Sequence, residues 1–189
     1  MEKHLRHLNE DVFKAFPILK SKRLCLRDIR NQDAQQIFDM RANGRVNTFI
    51  ARETMTEAEQ AISLVEKCKI GFQEKKAIPW AGVLRDNAKI IGTCGFNSID
   101  VPNLHAEIGG EMATAYWGKG IAQEAVEMIL NFGIEVFGLQ TIEAKVAPKN
   151  RGAIAVLEGL GFVKEAHFKD RMFFQGNFWD LAVYTKHAQ

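Results

Sequence analysis

The segment from Tyr116 to Ala125 decides the fold, and it reads YWGKGIAQEA. Gly118 and Gly120 stand between a predicted strand and the start of a predicted helix. Such a turn leaves backbone N–H groups free at a helix N-terminus, where the helix dipole also favours negative charge. Glycine is needed where the chain approaches a ligand closely or takes a positive φ. The segment therefore predicts a loop that binds a phosphate or pyrophosphate, although a simple helix-start turn has the same residues.

Two well-known phosphate-binding loops do not fit this segment. The dinucleotide fingerprint needs a third glycine or alanine where the chain has Gln123. The Walker loop needs a Ser or Thr after Gly-Lys, but Lys119 is followed by Gly120. A loop of another type is therefore expected.

Residues 120–137 after this turn have the period of an amphipathic helix. One face is apolar, and Gly138 is a typical helix end. The expected inner face consists of Ile121, Ala125, Ile129, Phe132 and Val136. Glu124, Glu127, Asn131 and Glu135 form the opposite face, which we expect to face solvent.

The rest of the chain divides into alternating strands and helices. A helix capped by Asn31 or Asp33 ends near residue 42 and buries Ile37 and Met40. A helix over 56–74 begins with Thr56 as its cap and Glu59 three residues later. Its inner face is expected to include Ile62, Val65 and Ile70, and a short helix covers 150–160. Strands are predicted at 23–29, 79–84, 89–97, 104–112, 141–146, 162–170 and 178–185, with turns at 86–87 and 175–177.

This order, β-α-α-β-β-β-α-β-α-β-β, predicts an α/β protein of the α+β type, with a mixed sheet of about seven strands and helices on both faces. A chain of 189 residues suits a single domain, and we assign 1–17 to an N-terminal tail and 18–189 to that domain. The 25 Lys and Arg residues nearly balance the 23 Asp and Glu residues, which disfavours a nucleic-acid-binding protein.

Other features of the sequence bear on location. The N-terminus has no apolar signal-peptide core, and no apolar run is long enough to span a membrane. Cys25, Cys68 and Cys94 are widely spaced and form no CxxC pair, which indicates reduced thiols and a cytoplasmic protein. We expect no membrane partner and a monomer or a homodimer. No metal site is expected, because His4 and His7 lack further ligands and the HxE pair at His105 lacks its cysteine half.

The glycine loop resembles motif A of the GNAT superfamily of N-acetyltransferases, (Gln/Arg)-x-x-Gly-x-(Gly/Ala). The matching frame runs from Trp117 to Ala122, with Trp117 in place of the usual first residue. Tyr-Trp-Gly-x-Gly is typical of the branch that resembles ribosomal-protein-alanine N-acetyltransferases. Further segments resemble that branch in the right order: 21–27, 106–109, 150–162, and the ending Gly176 to Asp180.

The resemblance implies a fold in which the fourth strand separates from the fifth and leaves a wedge for the pantetheine arm of acetyl-CoA. It implies that the loop of Trp117, Gly118, Lys119, Gly120, Ile121, Ala122 and Gln123 wraps the pyrophosphate. It also implies cofactor contacts, and a backbone donor for the oxyanion, near Met112, Ala113 and Thr114. Asn150 is placed to cap a helix, and by resemblance it also binds the pantetheine.

The sequence offers two candidates for the general base and none for the general acid. Glu107 is the leading base candidate, since it lies in an apolar-flanked Ala-Glu-Ile setting that can raise a carboxyl pKa. Glu107 can also be an ordinary surface carboxylate of the strand. Glu111, four residues on and on the same strand face, is the fallback. Many family members place a Tyr where this chain has Leu157, so no acid is assigned.

These features predict transfer of an acetyl group from acetyl-CoA to a primary amine by direct attack in a ternary complex. The acceptor can be a protein or peptide N-terminus or a small-molecule amine. An α-amine, with a pKa of ~8, needs less help from a base than a lysine near ~10.4. The alternative is an acyl-CoA-binding regulatory module with weak or no catalysis, which the Leu157 substitution keeps open.

Overall fold

The computed structural model describes residues 7–86 and 89–188. Its strands are β1 (Leu19–Lys20), β2 (Leu24–Asp28), β3 (Ile78–Leu84), β4 (Ile90–Asp100), β5 (His105–Met112), β6 (Thr141–Val146), β7 (Val163–Phe174) and β8 (Asn177–His187). Its helices are α1 (Ala34–Arg41), α2 (Gly44–Asn47), α3 (Ala58–Gln73), α4 (Ile121–Asn131) and α5 (Arg151–Gly159). Short 3₁₀ turns cover Glu10–Phe13, Asn31–Asp33 and Thr114–Tyr116. The predicted turn at 86–87 lies partly outside the described residues.

All eight strands form one mixed sheet in the order β1-β2-β3-β4-β5-β6-β8-β7. The sequence predicts seven of them, and the eighth is the two-residue β1, which is too short to show an alternating pattern. Among the strands of the described residues, only β5 and β6 pair in parallel, because α4 carries the chain across the sheet between them. The other neighbouring strands are antiparallel.

Helices cover both faces of this sheet, as predicted. Ala81 and Val83 of β3 pack on one face with Ile37 of α1 and Val65 of α3. The alternate residues of the same strand belong to the larger core, in which Trp80 packs with residues of α4 and α5. This division follows from the two-residue period of a strand.

The sheet splits between β5 and β6. Their parallel pairing runs from His105 opposite Thr141 to Ile108 opposite Ala144. Both strands continue beyond that point without pairing with each other. The Ala113 N–H donates to the Ile91 carbonyl of β4 at 2.8 Å. Because N–H groups alternate in direction along a strand, those of Gly110 and Met112 point the other way, into the gap. A wedge lined by backbone donors therefore opens at the carboxyl end of β5.

Two details of α3 differ from the sequence prediction. Glu57, not Thr56, is the N-cap, and Gln60 completes the capping box. Ile62 and Ile70 are exposed, whereas Ala61 and Val65 are fully buried. The core-facing stripe of α3, which packs against α1 and β3, is therefore narrower than the apolar residues of the helix suggest.

The long helix changes character at its end. After α4 the backbone continues as a π-helix over Phe132–Phe137, and Gly138 ends it with a φ of 91°. A π-turn holds more residues per turn than an α-helix, so it shifts the side chains around the axis. Val136, predicted to be buried, is 50% exposed as a result, and Phe137 takes its place in the core.

The described part of the predicted N-terminal tail is packed against the core. Leu8 and Val12 are buried, and the Asn9 N–H donates to the Phe137 carbonyl at 2.8 Å. The Trp80 indole N–H donates to the Pro17 carbonyl at 2.7 Å. Residues of the segment 7–17 therefore contribute to the packing of the core, and the division of the chain at residue 18 stays a prediction.

Among the described residues, no helix is both long and apolar enough to cross a membrane. The same part of the chain contains no cluster of three or more His, Cys, Asp or Glu side chains arranged to hold a metal ion.

Candidate active site

The glycine loop has the backbone geometry of an anion-binding turn. Gly118 and Gly120 have φ values of 71° and 70°, which few other residues adopt without strain. Gly120 caps α4 without a side-chain bond, and the first α4 N–H that reaches a carbonyl is that of Glu124, at 3.2 Å. In the described residues, no acceptor is found for the backbone N–H groups from 118 to 123. These groups sit at the positive end of the helix dipole and suit a pyrophosphate.

Arg23, the residue immediately before β2, fixes this loop. Its Nη1 donates to the Lys119 carbonyl at 2.9 Å, and its Nε donates to Oε2 of Glu124 at 2.6 Å. Ser21 donates to the other carboxylate oxygen of Glu124 at 2.5 Å. Burial alone would raise the pKa of Glu124, but these hydrogen bonds outweigh it and hold the pKa below its usual value. Glu124, predicted to face solvent, therefore anchors the loop to the start of β2.

Trp117 links the loop to the end of β5. Its indole N–H donates to the Met112 carbonyl at 2.8 Å, and the Arg45 guanidinium of α2 lies 5.9 Å from its ring centre. On the other side of the loop, Lys119 Nζ lies 5.7 Å from the Tyr116 ring centre.

Some backbone groups of residues 112–114 already form hydrogen bonds within the protein. The Ala113 N–H bonds to β4, and the Ala113 and Thr114 carbonyls accept from Tyr116 and Trp117. The Ala113 N–H therefore cannot donate to an oxyanion in this arrangement, whereas the Met112 N–H faces the wedge. That these residues contact a cofactor stays a prediction.

Asn150 caps α5, as the sequence indicates. Its Oδ1 accepts from the Ala153 N–H at 3.1 Å, which satisfies one of the free donors of the helix start. Leu157 on the same helix is buried in the core. Tyr184 is also buried, and its hydroxyl lies 3.4 Å from Glu158. Burial, followed by the nearby Glu158 charge, raises the pKa of Tyr184.

Glu107 and Lys145 form an ion pair beside the wedge. Nζ of Lys145 lies 2.6 Å from Oε2 of Glu107 and 3.3 Å from Glu143. The hydrogen bond with Glu107 raises the pKa of Lys145, so this lysine stays charged. Glu107 lies on the face of β5 opposite to Ala106 and Ile108, which belong to the large core. We call this opposite face of β5 the acceptor face.

Glu111 lies on the acceptor face too, but in a different environment. Its side chain is 3% exposed, and it pairs with Arg41 at 2.6 Å and with Arg52. Thr93 donates to the same carboxylate at 3.0 Å. Burial lowers the pKa of Arg52, an effect that the Glu111 charge opposes. A carboxylate with two guanidinium partners joins α1 and the segment after α2 to the sheet.

The three cysteines, all free, are partly buried. Burial raises the pKa of Cys94 to about 12 and also raises the pKa of Cys68. Because the thiolate is the nucleophilic form, neither thiol is an activated nucleophile.

Sequence reasoning missed four residues of this region: Arg23, Arg41, Arg52 and Lys145. Each is an ordinary charged residue whose partner lies far along the chain, for example 101 residues away for Arg23 and 70 for Arg41. Local spacing holds no signal for such pairs.

A split mixed sheet beside an anion-binding helix start is the arrangement that the resemblance to acetyltransferases implies. Residues 23–163 match the family described as "Acetyltransferase (GNAT) domain". The chain is 36% identical over 170 residues to YoaA, an uncharacterized N-acetyltransferase of Bacillus subtilis, and the match covers 90% of this chain and 96% of that protein. The protein belongs to the GNAT family and is an acetyltransferase.

More distant relatives include an N-acetyltransferase of a ribosomal protein. It is 24% identical to the [ribosomal protein uS5]-alanine N-acetyltransferase of Escherichia coli, with 86% of each chain covered. Among solved structures, RimL in complex with coenzyme A superposes with a TM-score of 0.84 at 18% identity, covering 91% of this chain and 98% of that one. An acetyltransferase from Bacillus anthracis gives a TM-score of 0.80 at 23% identity, with coverage of 90% and 98%.

Proposed function

We propose that the protein transfers an acetyl group from acetyl-CoA to a primary amine, by direct attack within a ternary complex. The observation that carries this proposal is the wedge between β5 and β6, which ends near a helix start with unbonded N–H groups. The residues present suit acetyl-CoA, because a pyrophosphate needs the donors of the loop and a pantetheine arm needs a narrow slot with backbone groups.

The cofactor contacts in this proposal come from three places. The N–H groups of Gly118 to Gln123 bind the pyrophosphate, and Lys119 adds a positive charge. The backbone of Met112, Ala113 and Thr114 borders the pantetheine arm on the β5 side. Asn150, whose Oδ1 already caps α5, offers its amide N–H₂ from the other side.

Acetyl-CoA supplies a thioester carbonyl, and the chain supplies a base and an oxyanion site. The amine nitrogen attacks the carbonyl carbon, and its proton passes to Glu107 directly or through water. The N–H groups of Gly110 and Met112 face the oxygen that becomes negative. The C–S bond then breaks, and the thiolate leaves and takes a proton from water. A thiol with a pKa of ~8.5 leaves without a dedicated acid, which accords with Leu157.

The acceptor in this proposal is a peptide N-terminus or a small-molecule amine. Relatives of both kinds exist, since one acts on ribosomal protein uS5 and another is named a spermidine N(1)-acetyltransferase. We place the reaction in the cytoplasm, because three free thiols suit a reducing compartment. The proposal needs no nucleic acid, membrane or metal, and a monomer or a homodimer satisfies it.

The test is thiol release from acetyl-CoA with an alanine-starting tripeptide, alaninamide and spermidine, with mass spectrometry of each amine. We expect acetylation of at least one amine. The alternative, an acyl-CoA-binding regulatory module, is favoured by the missing tyrosine at Leu157. It predicts CoA binding by calorimetry with no acetylated product from any of the three amines, and that result would contradict the proposal.

A further inference from the structure

Asn97 occupies a bulge in β4 beside the wedge. Phe96 pairs with Ile108 and Ser98 pairs with Glu107, so Asn97 is an extra residue with no partner on β5. Bulges redirect side chains and are frequent next to active sites. The bulge therefore directs a polar side chain towards the residues around Glu107.

Contacts at Gly109 locate the Asn97 amide. A β-carbon at residue 109 would clash with Nδ2 of Asn97 and would lie 3.2 Å from its Cγ. In a regular strand that β-carbon would point to the same face as Glu107 and Glu111. The amide thus covers Gly109 on the acceptor face, and Gly109 is the first residue of β5 beyond the pairing with β6.

Within the described part of the chain, the side-chain amide of Asn97 forms no hydrogen bond. Asn97 is also exposed. Its neighbours on the acceptor face are engaged, since Glu107 pairs with Lys145 and Glu111 with two arginines. An amide left free at the mouth of the wedge is available to a bound molecule.

We propose that Asn97 binds the acceptor: its Oδ1 accepts a hydrogen bond from an N–H of the attacking amine. The bond holds the nitrogen over Gly109, where its lone pair can face the acetyl carbon while Glu107 takes the other proton. A second free carboxylate at this position would favour the protonated, unreactive ammonium form of the amine, whereas a neutral amide does not. This inference rests on the proposed acetyl transfer.

The test is steady-state kinetics of Asn97→Ala and Asn97→Asp with whichever of the three amines gives the highest wild-type kcat/KM. Loss of one hydrogen bond should lower kcat/KM for the amine about tenfold in Asn97→Ala, while KM for acetyl-CoA stays within about twofold. Asn97→Asp retains an oxygen acceptor and should lie between the alanine variant and the wild type. Asn131→Ala, on the exposed end of α4, is the matched control and should be unchanged.

These measurements distinguish failure of the proposed role of Asn97 from failure of the proposed acetyl transfer. Wild-type kinetics for the amine in Asn97→Ala, or an equal loss towards acetyl-CoA, would overturn the role of Asn97 alone. Absence of transfer by the wild type would overturn the proposed function, and this inference with it. Thermal melting of each variant shows whether a loss of activity comes from unfolding instead.

Discussion

Replacement of Gly120 by Asn and by Asp isolates the electrostatic part of cofactor binding. Gly120 has a φ of 70°, a conformation that Asn and Asp tolerate better than other non-glycine residues. A β-carbon there meets nothing nearer than Nη2 of Arg23, at 3.7 Å, which is an ordinary contact. Both variants should therefore fold, with a similar backbone cost of about 1 kcal/mol.

The two variants differ by one negative charge beside the proposed pyrophosphate. The repulsion between two like unit charges about 6 Å apart, in a medium with an effective dielectric constant of about 20 to 40, is roughly 1.4 to 2.8 kcal/mol, and a pyrophosphate carries more than one such charge. Arg23 lies within reach and would offset part of this repulsion. We expect a net penalty of about 1.4 to 2.8 kcal/mol, so Gly120→Asp should bind CoA about 10 to 100 times more weakly than Gly120→Asn.

Isothermal titration calorimetry with CoA at two salt concentrations measures this difference. The gap between the two variants should narrow as the salt concentration rises, because exposed charges are screened. Equal affinities of the Asn and Asp variants at low salt would refute the placement of the pyrophosphate at this loop. Normal wild-type affinity in both variants would refute it as well.

Three further predictions concern catalysis and stability. Glu107→Gln should lower kcat/KM for the amine at least tenfold and leave the affinity for CoA within about twofold of the wild type. Glu143→Gln is the control, because Glu143 contacts the same Lys145, and it should have little effect. Equal activities of the two variants would rule out Glu107 as the base. Glu111→Gln leaves the guanidinium groups of Arg41 and Arg52, each about one-fifth exposed, without their carboxylate partner. The substitution should lower the free energy of unfolding by about 3 kcal/mol and Tm by roughly 6 to 12 °C. An unchanged melting curve would contradict the pairing. Burial would raise the pKa of Asp33, but hydrogen bonds from Arg27 and from the Arg30 backbone outweigh it and hold the pKa below the ordinary 3.8. The ionised carboxylate therefore contributes its full stabilisation of the fold above pH 3.8, and this contribution is lost as the pH falls through the lower pKa of the folded state. Denaturant titrations should therefore show Asp33→Asn less stable than the wild type at pH 7, with the gap closing towards pH 2, and a gap independent of pH would contradict this.

The sequence predicted those parts of the molecule that depend on local rules. The glycine turn, the cap at Asn150 and the buried face of α1 at Ile37 and Met40 are confirmed, because each depends on residues a few positions apart. The mixed sheet followed from the order of elements together with the family resemblance. Local periodicity failed at Val136, where the π-helix rotates the side chains, and periodicity assumes one uniform helix.

The candidate site was less predictable where it depends on tertiary pairing. Glu107 and Glu111 share a strand face and look alike in sequence, yet one pairs with an exposed lysine and the other with two partly buried arginines. The difference arises from β6 on one side and from α1 and the following segment on the other. No spacing within β5 contains that information, and the same holds for the bulge that turns Asn97 towards Gly109.

The most direct test of the central claim is a two-substrate initial-rate study of the wild-type protein, in which acetyl-CoA and the accepted amine are both varied. Direct attack in a ternary complex predicts double-reciprocal lines that intersect, with one acetylated amine formed for each thiol released. Parallel lines would show a covalent acetyl-enzyme, and thiol release without acetylated amine would show no transfer. Either result would contradict the account.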